Sequence, residues 1–344
     1  MQNRFELHLH MDGSLSEKTV NALVKKNYSV LNDEEKRLLE RGELYESISV
    51  SKCNGLEDYL KKFDLPCRLL QDPEDVEMAF YNLVTDLSEQ GIMYAEIRFA
   101  PQLHSANVKF KHKYDHECQI LDGAIRGVKR GMANKRIIVN LILCCMRGEW
   151  YNVLWANKRN VRLAKEFLDR GVCAIDLAGA EAVYPTRNFA KIFKAARKDD
   201  IPFTIHAGES GAYEKLKSSL ISAIDFGAKR IGHGIGLMYF PELQETVKEK
   251  RITLECCIKS NLDTNAVLML SEHPAKKFYD SGILVTLNTD NMTVSSTSLT
   301  NEYNLAKNIG FTDKDIARMQ EYAFNSAFMT ESQRTQIKQW MQCS

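Results

Sequence analysis

Charge of one sign is not in excess in this chain: 46 Lys and Arg stand against 45 Asp and Glu in 344 residues. That balance provides no overall field for holding a nucleic acid or an anionic membrane, and it points to small or locally recognised partners. Regular cysteine spacing is also missing. The nine cysteines form no CxxC, and Cys144-Cys145 and Cys256-Cys257 sit inside apolar runs, which argues against a disulfide framework and for reduced core thiols. No stretch approaches the ~20 apolar residues of a membrane span. Strand-like sequence from Arg4 leaves no room for a charged n-region and an apolar h-region, so the expectation is a cytoplasmic protein without a secretory leader. Internal repeats, low-complexity tracts and Pro/Ser-rich linkers are absent too, which predicts a single domain over residues 1–344.

What the chain does contain is alternation. Short, mostly apolar and β-branched segments lie at 5–10, 93–100, 136–146, 173–179, 203–209, 230–234, 251–258 and 283–290. Such segments suit strands buried on both faces, hence parallel strands covered by helices. Charged stretches with apolar residues at helical spacing fall between or before them, at 73–90, 117–130, 161–170, 188–198, 213–226, 241–250 and 274–281. Strand then helix, repeated without a linker, predicts an α/β fold, the (β/α)8 TIM barrel. A doubly wound open sheet is the rival, but no Gly-rich phosphate turn follows the first strand.

One connection is too long for a plain barrel. More than eighty residues separate the first two strands, including "NDEEKRLLERGELYESI" and the amphipathic "GLEDYLKKFDL". Extra helices over about 14–90 are expected at the C-terminal mouth, as a lid or pocket wall. After the last strand, "SLTNEYNLAKNIG" and "TDKDIARMQEYAFNSAFM" are amphipathic, the second with a Thr/Asp start fit to cap a helix. These appended helices are expected to close the barrel.

Chemistry-bearing residues collect at strand ends. In "ELHLH", His8 and His10 are two apart and share one strand face, with Phe5, Leu7 and Leu9 on the other. Two neutral imidazoles can begin a divalent metal site, and they can equally be hydrogen-bonded core histidines. Asp12-Gly13 adds a carboxylate and a tight turn. "HAGES" carries His206 and Glu209, "RIGHG" carries His233, and "VTLNTDN" ends on Asp290-Asn291. Taken together, three histidines and an aspartate could hold Zn²⁺ with room for water, while a fourth histidine and a glutamate serve proton transfer. His112 and His116, in "KFKHKYDHE", read as a solvated helical face. His104 and His273 follow loop-like sequence and are given no role.

"ELHLHMDGSL", "IDLAGAE", "HAGE", "RIGHG" and "LNTD", in this order and at these separations, resemble the adenosine deaminase family of metal-dependent hydrolases. The match runs from the first strand to the eighth. The resemblance implies one Zn²⁺ per chain on His8, His10, His206 and Asp290. It implies that His233 orients the attacking water and assists its deprotonation, that Asp290 accepts a hydrogen bond from that water, and that Glu209 protonates purine N1. It further implies that the N–H of Gly179 meets N3 and that Asp12 accepts from the ribose 5′-hydroxyl, although a strand-end glycine and a turn carboxylate would look the same. The expected reaction is deamination of adenosine or deoxyadenosine to the inosine counterpart, in purine salvage, with a small-molecule nucleoside as partner. Three departures bear on substrate. Asn291 stands where a second aspartate is common, and its amide can donate to N7. Ala180 replaces a frequent polar residue, and "CIKSN" brings Lys259 to the mouth, as a rim charge or as a contact to a phosphate on a larger 6-aminopurine compound. A catalytically inactive binding protein is the reading from a different class, and retention of Glu209 and His233 argues against it.

Overall fold

The protein is described here as a computed structural model covering residues 3–49 and 55–342. Residues 50–54, within the long insertion, lie outside the described residues. The strands are β1 Arg4–His10, β2 Ile92–Phe99, β3 Ile138–Met146, β4 Val172–Ala178, β5 Thr204–Ala207, β6 Arg230–His233, β7 Thr253–Cys256 and β8 Leu284–Leu287. They form two four-stranded parallel sheets, β1 to β4 and β5 to β8, each in sequence order. Parallel bridges join both seams, Leu9 to Asp290 and Ile175 to Phe203. The first seam is doubly bonded, His10 N–H to Asp290 O at 2.7 Å and Asp290 N–H to His8 O at 2.8 Å, so the ring of strands closes through Asp290.

The outer faces of the strands bury Leu, Ile, Val and Phe against the helices. Two of those helices approach very closely. Along helix Lys113–Met132, Gly123 and Gly127 face helix Pro73–Glu89, where an added Cβ would come within 2.3 Å of the carbonyl oxygens of Pro73 and Glu77. Helix starts follow local chemistry: Asp72 accepts from Glu74 N–H ahead of Pro73, and Asn32/Glu35 and Thr312/Asp315 form capping boxes. No helix among the described residues is long and apolar enough to cross a membrane.

Several boundaries differ from the sequence reading. Strand β5 stops at Ala207, where Gly208 (φ 74°) takes a left-handed conformation, and β8 stops at Leu287, three residues before Asp290 (φ 59°), which pairs with β1 instead. Glu209, Gly179 and Asp290 therefore sit just past their strands. The helix expected at 161–170 starts much earlier, at Trp150, and ends at Phe167. The insertion makes short helices at Leu56–Leu60 and Asp64–Leu69 that reach over the mouth, while Pro73–Glu89 is the covering helix before β2. The appended helix Asp313–Ser326 packs along β8 and β1, covering the seam as expected: Ile316 and Met319 join the core cluster of β8, Phe324 packs on Phe5, and Gln320 accepts from Phe5 N–H.

The interior is not the apolar core that the segments suggested. Glu96, Arg98, Asp176, Arg230 and Glu255 are fully buried and bonded to one another inside the ring of strands. Glu6 is buried apart from them, accepting from Thr289. A register shift between Glu6 and Leu9 sets Phe5 and Leu7 with Tyr94 and Ile138, not on the face of Leu9. Arg230 pairs with Glu96 and, at 2.5 Å, with Glu255, and donates to Ser326 O at 2.9 Å. Removing one partner of a buried pair leaves an uncompensated charge. Arg230→Met, placed at the floor and away from the site, is therefore expected to destabilise by ~3–5 kcal/mol. Urea unfolding checks this, and a loss under ~1 kcal/mol, the scale of an exposed pair, would show that the network carries no stability.

Candidate active site

Strand β1 delivers His8 and His10 to the C-terminal mouth, β5 delivers His206, and the turn after β8 delivers Asp290. One nitrogen or oxygen from each lies within 4.8 Å of every other. Asp290 Oδ1 is 3.4 Å from His8 Nε2 and 3.5 Å from His10 Nε2, and His10 Nε2 is 3.3 Å from His206 Nε2. Partners behind the rings decide which nitrogen faces the centre. His8 Nδ1 lies 2.7 Å from Glu255 Oε2, and His206 Nδ1 lies 2.8 Å from Asp176 Oδ2. Each carboxylate fixes the proton on Nδ1, leaving the Nε2 lone pair directed inward. His8 Nε2 is buried without a hydrogen-bond partner. Burial pushes the imidazoles of His10 and His206 below their usual range, hence neutral. Three imidazole nitrogens and one carboxylate facing each other in this way suit a divalent transition metal.

Asp290 is fixed from both sides. Its backbone closes the barrel, and Ser260 donates to its Oδ2 at 2.6 Å. Burial works against its ionisation, but the histidines around it, His8 first, hold its carboxyl well below the usual carboxylate range.

Glu209 faces this cluster from the turn after β5. Glu181, from "LAGAE", accepts the N–H groups of Gly208, Glu209 and Ser210 at 2.8, 2.9 and 3.0 Å and so builds that turn. Burial first, then the charges of Asp290 and Glu181, push the Glu209 carboxyl well above its usual range. His233 Nε2 is 3.7 Å from Glu209 Oε2. Burial pushes the His233 imidazole well below its usual range.

These groups line one wall of a cavity of about 370 Å³, whose opposite wall is Leu56, Tyr59, Leu60 and Phe63 of the insertion. Asp12, Gly179 and Asn291 also face it. Asp12 is buried near Cys67, its Oδ1 has no partner, and burial pushes its carboxyl up to about 6. Asn291 has its Oδ1 pressed against Gly13, where an added Cβ would approach within 2.0 Å. Glycine is required there by the amide's position.

Eight of the nine residues expected from the sequence thus line one cavity, and His8 lies buried directly behind it, beside His10, His206 and Asp290. Lys259 is different: half-buried, its ammonium is bonded to Asp263, so the rim charge is already neutralised. His112 is exposed as expected, whereas His116 is half-buried with its Nδ1 2.9 Å from Ser105 Oγ. His104 and His273, given no role, are both buried, and His273 reaches the site through Asn261. Sequence reading missed Glu255, Asp176, Arg98, Glu181, Ser260 and Asn261. Their signal was available: charged residues at alternate positions in strands otherwise apolar, such as Glu96 and Arg98, have no place facing hydrophobic helices. Arg147 was missed as well. Its guanidinium holds Tyr184 O, Thr186 Oγ1 and, at 2.6 Å, His206 O, fixing the end of β5.

Comparison with known proteins agrees with this geometry. The family model described as adenosine deaminase matches residues 4–342. An adenosine deaminase of Haemophilus ducreyi is 41% identical over 304 residues, 87% of this chain and 84% of that one. One from Clostridium perfringens is 36% identical over 337 residues, 97% of this chain and 96% of that one. Among solved structures, an Arabidopsis N6-mAMP deaminase superposes with a TM-score of 0.83 at 25% identity, covering 100% of this chain and 98% of that one.

The carboxylates behind the histidines give a test. Asp176→Asn, which keeps shape but no longer accepts from His206 with full charge, is expected to weaken metal retention by ~10–100-fold. Competition with a chelator measures it; unchanged retention would mean that His206 needs no oriented tautomer.

Proposed function

The chain belongs to the adenosine deaminase family, hydrolases that act on C–N bonds of cyclic amidines, and from that premise we propose that it converts adenosine or deoxyadenosine and water to the inosine counterpart and ammonia. The observation that carries this reading is the pairing, at one cavity of about 370 Å³, of the buried Glu209 carboxyl with three histidines and an aspartate whose ligand atoms all lie within 4.8 Å of one another.

The family is metal-dependent, and the residues present fit a metal: His8 Nε2 is otherwise orphaned, and His10 Nε2 and His206 Nε2 converge to 3.3 Å beside the Asp290 carboxylate. We assign the ion as zinc, one per chain, on His8, His10, His206 and Asp290. Zinc in such a site acts as a Lewis acid and lowers the pKa of a bound water towards ~7.

The remaining roles belong to the chain. Glu209, whose raised pKa favours the protonated carboxyl, donates to purine N1 as C6 is attacked; that form is lost as pH rises through the raised value. His233 orients the attacking water beside Glu209. Gly179 N–H meets N3, the Asn291 amide donates to N7, and Asp12 accepts from the 5′-hydroxyl. The insertion segment 56–69 closes over the base and excludes water. A second reading, a 6-aminopurine nucleotide, is favoured by the likeness to the N6-mAMP deaminase. The bond from Lys259 to Asp263 favours the uncharged nucleoside, because it removes the cation a phosphate would need.

Glu209→Gln is expected to keep its metal and still bind nucleoside while losing ~10²–10⁴-fold in kcat, since an amide cannot protonate N1. Turnover within twofold of wild type would place the acid elsewhere. For Asn291, 7-deaza-adenosine, which lacks the N7 acceptor, is expected to lose roughly ten- to hundredfold in kcat/KM on the wild type. Asn291→Ala removes most of that difference. Equal discrimination by both proteins would show that Asn291 does not read N7.

A further inference from the structure

His233 is held by a chain of hydrogen bonds whose direction can be read from its far end. The backbone N–H of Ala275 points at His273 Nδ1 at 3.3 Å, and a backbone amide can only donate. His273 Nδ1 is therefore an acceptor, and the ring carries its proton on Nε2. That N–H donates to Asn261 Oδ1 at 3.1 Å. With its oxygen so engaged, Asn261 turns its NH₂ group to His233 Nδ1 at 3.0 Å. A flipped amide would set N–H against N–H at His273. All three side chains are buried, so no water relieves a mismatch.

Helix Ile258–Asp263 holds Asn261 in place: Glu302 accepts from the N–H groups of Ile258 and Lys259 at its start, and Val267 N–H bonds Asn261 O. The left-handed backbone of His233 (φ 62°) followed by Gly234 (φ 69°) turns the ring across the cavity wall.

We propose that Asn261 and His273 are positioning residues that lock His233 as the Nε2–H tautomer, making it a hydrogen-bond donor to the attacking oxygen and not an acceptor of its proton. This rests on the deaminase reading for what lies opposite Nε2, but the tautomer itself does not. An Nδ1–H tautomer, and equally an imidazolium, would place two N–H groups face to face at 3.0 Å. The assistance in deprotonating water that the family resemblance implied for His233 is thereby replaced by orientation and charge stabilisation, and the water's proton passes to the Asp290 carboxylate, which lines the same cavity.

The test is a long-range ¹H–¹⁵N correlation spectrum of the zinc-loaded, ¹⁵N-histidine-labelled protein, with His233→Gln used to assign the ring. The expected pattern for His233 is a protonated Nε2 and a bare Nδ1 at neutral pH. A protonated Nδ1, alone or with Nε2, overturns the proposal. Asn261→Asp offers a carboxylate acceptor on both sides and is expected to move the His233 proton to Nδ1, with kcat for adenosine falling ~10²–10⁴-fold and KM nearly constant. In His273→Gln the amide N–H replaces Nε2–H, and the wild-type His233 pattern is expected to persist with kcat within a few-fold; His273→Leu loses both. An unchanged His233 spectrum in Asn261→Asp also overturns the proposal. Absence of adenosine turnover with the expected spectrum removes the substrate reading and leaves the relay standing.

Discussion

The guanidinium of Arg98 is the contact on which the barrel mouth depends. Fully buried beneath the site, it donates to Asp176 at 2.9 Å, to Glu255 at 3.0 Å and to the carbonyl of Leu7 at 2.6 Å. Burial alone would drive both carboxylates to their neutral forms. For Glu255 the charges of Arg98 and Arg230 overcome that tendency, and for Asp176 the adjacent His206 ring and the charge of Arg98 do, so both are held well below the usual range. Because they stay ionised, each fixes the Nδ1 proton of one histidine, His8 or His206, and each of those rings turns its other nitrogen to the centre. One cation thus sets the orientation of two candidate ligands drawn from different strands.

The same low-dielectric interior acts in opposite directions on groups a few ångströms apart. Asp290 is kept ionised by His8 and its neighbours, whereas Glu209, facing the charges of Asp290 and Glu181, is kept protonated. Two carboxyls thus divide by environment into one that favours its ionised form and one that favours its protonated form, as the proposed roles of ligand and acid require. The fold makes this division durable because the backbone of Asp290 is itself the seam between β1 and β8, so the site cannot loosen without opening the barrel.

Much of this was legible in the sequence. Alternation of apolar segments with amphipathic helices is set by short-range periodicity, and it located all eight strands. The nine residues that gather at or just behind the cavity were legible because each lies near the C-terminal end of a strand in a short polar motif within otherwise apolar sequence. What stayed hidden is long-range. The helix starting at Trp150 was read as starting at 161, and His273 was dismissed because loop-like sequence does not reveal that its ring is buried against Asn261. The partnerships of Glu255 with His8 and of Glu181 with the 208–210 turn cross 247 and up to 29 residues. No local pattern encodes such separations, although charges inside apolar strands announce that a buried partner must exist.

The central claim is that this cavity performs metal-dependent hydrolysis at C6 of adenosine. Following ultraviolet absorbance and ammonia release for adenosine, deoxyadenosine, adenine, AMP and 5′-thio-adenosines, on zinc-loaded and chelator-stripped protein, tests it most directly. The account predicts one ammonia per inosine, nucleosides turned over in preference to AMP and adenine, and activity that disappears on stripping and returns with zinc. Turnover of AMP but not adenosine, or full activity in stripped protein, would contradict it.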